Sequence, residues 1–134
     1  MLFDLKDLVK NNTFLHNIAS IVSNLVPTFI IHNFEKFKAI RFTIENAYMD
    51  SIDGDYLEFG SLTGSSLNHA INCYKKIYKK ENVKIFAFDS FEGFPEDNHK
   101  IFKSQNYTGN YEKVKKIALR HSNCRIIKGF FRNT

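Results

Sequence analysis

Between Asp53 and Gly129 three short apolar runs alternate with two stretches of helical periodicity, and this alternation limits the available folds more than any other feature. Tyr56-Leu57-Glu58-Phe59 follows the turn signal Asp53-Gly54 and stops at Gly60, Val83 to Phe88 lies between Asn82 and Asp89, and Arg125 to Lys128 closes at Gly129. Leu67, Ala70, Ile71, Tyr74, Ile77 and Tyr78 recur at helical spacing between the first two runs. Tyr111 to Arg120 does the same before the third, through Val114, Ile117 and Ala118. Strands separated each time by a helix are parallel and joined by crossovers. The expectation is an α/β chain with a Rossmann-like, doubly wound parallel sheet, incomplete at three strands.

The first 52 residues have a different texture and are expected to form an N-terminal helical cap, with 53–134 as the Rossmann-like half-domain. Phe14, Leu15, Ile18, Ile21, Val22 and Leu25 recur at three-to-four spacing behind Asn12 and Thr13, either of which can cap a first turn, and Pro27 ends the segment. A second helix is expected from about Asn33 to Met49, with Phe34, Phe37, Ile44 and Tyr48 on one side and Glu35, Lys36, Lys38 and Glu45 away from it.

A net charge of +5 raises the question of a polyanionic partner. The lysines concentrate in two groups, Lys75, Lys76, Lys79 and Lys80, then Lys113, Lys115 and Lys116, within or beside helix-patterned segments where a solvated face is expected. Nucleic-acid binding is not expected, since arginine, the residue of bidentate phosphate and guanine recognition, is scarce. The apolar stretch Leu25 to Ile31 is broken by Pro27 and is too short to cross a bilayer, so no membrane association is expected. Cys73 and Cys124 are far apart and the five histidines are scattered, a pattern that offers neither zinc spacing nor a disulfide framework and fits a reducing cytoplasm. Asn106-Tyr107-Thr108 matches a glycosylation sequon that has no meaning in that compartment.

The stretch Gly54 to Ser66, "GDYLEFGSLTGSS", carries the chemistry. In open α/β sheets the first strand-to-helix turn meets the charged groups of a ligand at the carboxyl ends of the strands. Gly60 and Gly64 remove side chains from that turn, the helix behind it offers unpaired N–H groups, and Ser65 and Ser66 add hydroxyls. The spacing ExGxxxG satisfies neither the dinucleotide GxGxxG nor the phosphate loop GxxxxGK, so phosphate is not the favoured guest. One βαβ step later, Asp89 stands where an acid accepts hydrogen bonds from a ribose diol, although a turn cap is the other use of such an Asp. Glu58 adds a carboxylate able to receive an ammonium. Donors for a carboxylate, an acid for an ammonium and an acid for a ribose together describe S-adenosylmethionine, whose cationic sulfonium suits a cleft with two carboxylates.

"GDYLEFGSLTGSS" followed by "FAFDSFEGFPEDN" resembles the macrocin O-methyltransferase (TylF/MycF-like) family of class I S-adenosylmethionine-dependent methyltransferases, whose E-x-G-x-x-x-G turn precedes F-D-S-F-E-G-x-P. The likeness runs from about residue 50 to the closing "IIKGFFRNT". It implies that Glu58, Gly60 and Gly64 line the methionine end of the cofactor, that Asp89 holds the ribose, and that Ser90 and Phe91 lie near the adenosine. It further implies methyl transfer to a hydroxyl of a small molecule, most naturally a sugar or glycan. Leu62 and Thr63 stand where family members often carry a bulky residue and an arginine. Mg²⁺ would be held by aspartates of a fourth strand that has no counterpart up to Thr134, so matching assigns no catalytic residue.

A three-strand sheet in the order 3-2-1 leaves Tyr56–Phe59 at an edge, and a homo-oligomer or partner chain is therefore expected. The competing reading is a non-enzymatic nucleoside-binding or assembly module.

Overall fold

The computed structural model describes residues 12–78, 83–94 and 107–131. Its elements are α1 (Thr13–Leu25), α2 (Thr28–Met49), β1 (Tyr56–Phe59), α3 (Ser65–Ile77), β2 (Ile85–Asp89), α4 (Tyr111–Ala118) and β3 (Cys124–Lys128). Lys79, Lys80, Asn82 and Asn106, named from the sequence, and the motif's Pro95 lie outside the described residues. Two compact units meet between Lys36 and Phe37, within α2.

In the first unit, α1 starts at an Asn12 cap whose Oδ1 accepts from the amides of Phe14 and Leu15 at 3.1 and 3.3 Å. It stops before Pro27 as expected, and none of its residues is buried. The second helix begins five residues earlier than the sequence pattern indicated, at Thr28 rather than about Asn33. The reason is Pro27 itself: its missing N–H costs nothing just ahead of a helix, and its carbonyl accepts from Ile30 and Ile31. No single helix among the described residues is long and apolar enough to cross a membrane.

In the second unit the three strands are parallel in the order β1-β2-β3, as the alternation required. The register pairs Glu58 with Ala87 and Ala87 with Ile126. Side chains alternate across a strand, so Tyr56, Glu58, Ile85, Ala87, Asp89, Cys124 and Ile126 share one face. Leu67 and Ile71 of α3, Val114 and Ala118 of α4, and Ile85, Ala87 and Cys124 of the strands form one core there, so both crossover helices lie on that face. A smaller cluster joins Ile44 of α2 to Ala70 and Cys73 of α3, with Ile40 beside it. The buried line of α2 thus runs through Ile40 and Ile44, whereas Phe34 and Tyr48, expected on the packed side, are exposed. β2 begins at Ile85 rather than Val83, and α4 ends at Ala118 rather than Arg120. The other face carries Leu57, Phe59, Phe86, Phe88, Arg125 and Ile127, with Leu57 and Phe59 more than half exposed.

Candidate functional site

The carboxyl ends of all three strands open into one cavity of about 560 Å³. Gly60 leads out of β1, Asp89 and Ser90 end β2, and Gly129 ends β3. The rest of the wall is largely apolar: Leu62, Phe94, Tyr107, Phe130 and Phe131, with Gly93. Its volume lies within the ~300–1,000 Å³ typical of small-molecule sites.

Asp89 organises this end of the sheet. Its Oδ2 accepts from the Leu62 amide and its Oδ1 from the Phe91 amide, each at 2.7 Å. Both donors are non-glycine residues with left-handed backbones, Leu62 at φ 47° and Phe91 at φ 61°. Such conformations cost on the order of 1–3 kcal/mol each and persist where surrounding contacts impose them. One buried carboxylate therefore holds two strained turns, one after β1 and one after β2, while still lining the cavity. The Leu62 carbonyl is tied too, accepting from Asn110 at 2.8 Å at the start of α4. Asp89 performs the turn capping that the sequence offered as its other use, and the cavity position allows a ligand contact as well.

Ser90 also lines the cavity, and its Oγ closes the turn by donating to the Gly93 carbonyl and accepting from the Glu92 amide, both at 3.2 Å. Phe91 turns inward: it is 5% exposed, belongs to the core, and meets the Tyr111 ring edge to face at 5.2 Å. The two glycines of the first turn differ. A Cβ on Gly60 would meet nothing within 4 Å, so the backbone there is open to approach. A Cβ on Gly64 would lie 2.8 Å from Ile117 Cδ1 and 3.1 Å from Val114 Cγ2, so this glycine faces α4.

Glu58 and Asp89 share a sheet face, but they serve different surroundings. Glu58 is 8% exposed and does not line the cavity. Its Oε1 accepts from Ser66 Oγ and its Oε2 from Tyr56 OH, both at 3.1 Å. Burial, then the nearby Glu58 carboxylate, pushes the Tyr56 phenol well above its ordinary range, so it remains a donor. Glu58 thus stands at the positive end of α3, a helix capped only by Gly64 with no side-chain hydrogen bond. Ser65 is exposed on the same first turn. In the loop between β1 and α3, Ser61 Oγ is buried with no hydrogen-bond partner among the described residues.

The sequence reading missed the aromatic wall. Phe94 and Tyr107 pack at 4.9 Å between ring centroids, and Phe131 meets Phe59 at 5.4 Å. Only the run Lys128-Gly129-Phe130-Phe131, placing a glycine and two rings at the end of a third strand, carried a signal for it.

No protein-family model and no curated protein sequence matches the chain. Among solved structures it is similar to the O-methyltransferase NovP, with a TM-score of 0.60 and 17% identity over 73% of this chain and 46% of that one. It is also similar to CalS11, a calicheamicin methyltransferase, with a TM-score of 0.57 and 15% identity over 94% of this chain and 55% of that one. The chain spans about half the length of each. The shared fold over that half is an incomplete Rossmann-like α/β sheet.

Proposed function

We propose that this chain is the cofactor-binding part of an S-adenosylmethionine-dependent O-methyltransferase whose acceptor is a hydroxyl on a sugar or glycan. The observation that carries the reading is Asp89: a carboxylate at the end of the second strand, in the wall of a cavity formed by all three strand ends, beside a glycine with open space above it. The cavity fits the cofactor's chemistry, with an acid for the ribose and an aromatic and aliphatic wall for the adenine. The fold shared with two methyltransferases and the resemblance of the two sequence motifs point the same way.

When bound, the cofactor supplies a methyl group on a cationic sulfonium. The chain's own part is to bind and orient it. Asp89 holds the ribose while fixing the two turns that flank it, and Phe94 and Tyr107 shield the base from water. Glu58 acts by positioning: with Tyr56 and Ser66 it sets the first turn of α3, whose free amides face the methionine end. Orientation of this kind contributes a large share of the catalysis of group transfer. Among the described residues no three His, Cys, Asp or Glu side chains stand together as a metal site.

Calorimetric titration with S-adenosylmethionine and with S-adenosylhomocysteine tests the reading. Both bind the unaltered chain, and Phe94→Ala, a change to an exposed ring that leaves the fold intact, weakens both by roughly fivefold or more, as expected for a lost aromatic contact of about 1 kcal/mol. Absence of heat with either compound, or affinity in the Phe94→Ala and Asp89→Ala proteins as high as in the unaltered chain, overturns it.

A further inference from the structure

A second groove lies between α4 and β3, away from the strand ends. Its cavity is about 430 Å³, and Tyr111, Lys115, His121, Arg125 and Ile126 contribute to its walls, which carry no carboxylate. Two ammonium groups lie near the Tyr111 ring, Lys115 Nζ at 5.8 Å and Lys128 Nζ at 5.6 Å from its centroid. Burial, then Lys75 and Arg120, holds the His121 imidazole below its ordinary value, consistent with a locally positive field. Among the described residues the carboxylate in contact with these cations is Glu92, 3.7 Å from Lys128 with both side chains at least half exposed.

The groove runs beside the outer edge of the sheet. Among the described residues β3 pairs with β2 on one side only. Asn123 accepts from Ile85, and Gly129 donates to the Asp89 carbonyl. In a parallel ladder a residue directs its N–H and C=O to the same neighbour and the next residue directs both away. Arg125 and Ile127 therefore serve β2, while the N–H and C=O of Ile126 and the N–H of Lys128 face outward.

We infer that this edge receives an extended acidic peptide segment as an added strand. Main-chain pairing on Ile126 and Lys128 would supply the register, and alternate side chains would meet cations on both faces, Lys115 and Lys128 on the helix side and Arg125 on the other. Charge decides the occupant. A second copy of β3 would bring two cationic rims together, which is how edge strands are protected from self-pairing, whereas a strand with alternate carboxylates gains from both.

The experiment titrates the full chain with two fluorescein-labelled, end-blocked peptides of about eight residues, one alternating Glu and Val, the other Lys and Val. By anisotropy at about 50 mM salt, where exposed charges are weakly screened, the Glu–Val peptide binds roughly tenfold or more tightly than the Lys–Val peptide. The exposed changes Lys115→Glu and Arg125→Glu together abolish that preference. Amide exchange at Ile126 and Lys128 slows on binding, while Arg125 and Ile127 are protected from the start. The proposal is overturned if neither peptide binds. It is equally overturned if a short oligothymidylate displaces the acidic peptide while exchange at Ile126 and Lys128 is unchanged by peptide, because the surface is then only a general polyanion patch.

Discussion

The two faces of the sheet are made by the same strands in the same register, yet one is a core and the other is not. On the covered face Ile85 and Ala87 are at most 1% exposed, and the alternate residues end in the polar pair Glu58 and Asp89. On the other, Leu57 and Phe59 are 51% and 60% exposed, and Phe59 stacks on Phe88 at 4.9 Å between centroids without being buried by it. The asymmetry follows from strand order: successive crossovers in one direction put α3 and α4 on the same side. The strands themselves are apolar at both alternations, the pattern of parallel strands buried on two sides. The difference teaches that Asp89, at the mouth of the cavity, stands on the packed face, while the other face keeps apolar side chains exposed.

The sharpest test of that comparison is a pair of truncations. Ile85→Ala removes a side chain enclosed in the main core and should cost about 3–4 kcal/mol in urea unfolding. Phe59→Ala, on the half-open face, should cost about 1 kcal/mol despite the larger side chain, because its ring is already 60% exposed to water. Equal costs would break the comparison and mean that the open face is packed in solution.

Asp89→Ala comes next. A buried and a half-buried amide lose their acceptor and two left-handed turns lose their restraint, an expected cost of about 2–3 kcal/mol. A loss below about 0.5 kcal/mol, the scale of an ordinary surface change, would show that the turns hold themselves. The glycines give a finer contrast. Ala at position 64 meets both a left-handed φ of 74° and the Ile117 side chain, for about 2 kcal/mol, while Ala at position 60 meets only the backbone penalty of about 1 kcal/mol. The same measurement reports both, and reversal of their order would mean that Gly60 is the packed one.

Much of this arrangement was legible in the sequence, and what was not has physical causes. β1 was read residue for residue because a turn signal and a glycine bound an apolar run. The place of Asp89 was read from one βαβ spacing, but its grip on Leu62, 27 positions earlier, depends on tertiary geometry that no local pattern encodes. Gly60 and Gly64 look alike in a motif and differ only in what stands opposite them, which is set by the packing of α4. The start of α2 was misplaced because Pro27 was read as a stop for one helix and not as the opening of the next. Most of the aromatic wall was not legible because Phe94 and Tyr107, from the connection between β2 and α4, meet the segment after β3 only in the folded chain.

The smallest expected effect separates the two faces by titration. On the covered face burial, and then Glu58, pushes the Cys124 thiol up to about 11 from an ordinary value of 9.0. Tyr56, on the same face, is raised by burial first and Glu58 second. A group whose folded pKa lies above its unfolded one binds its proton more firmly when folded, so the stabilisation is complete below the unfolded value and is lost as pH climbs to the folded one. Urea midpoints should therefore hold from pH 7 to about 8.5 and decline between about 9 and 11, with Cys124→Ala flattening part of that decline and Phe88→Ala leaving its shape unchanged. The open face has no thiol or phenol in its strands, so a decline insensitive to Cys124→Ala and reshaped by Phe88→Ala would place the titrating burial on the wrong side of the sheet.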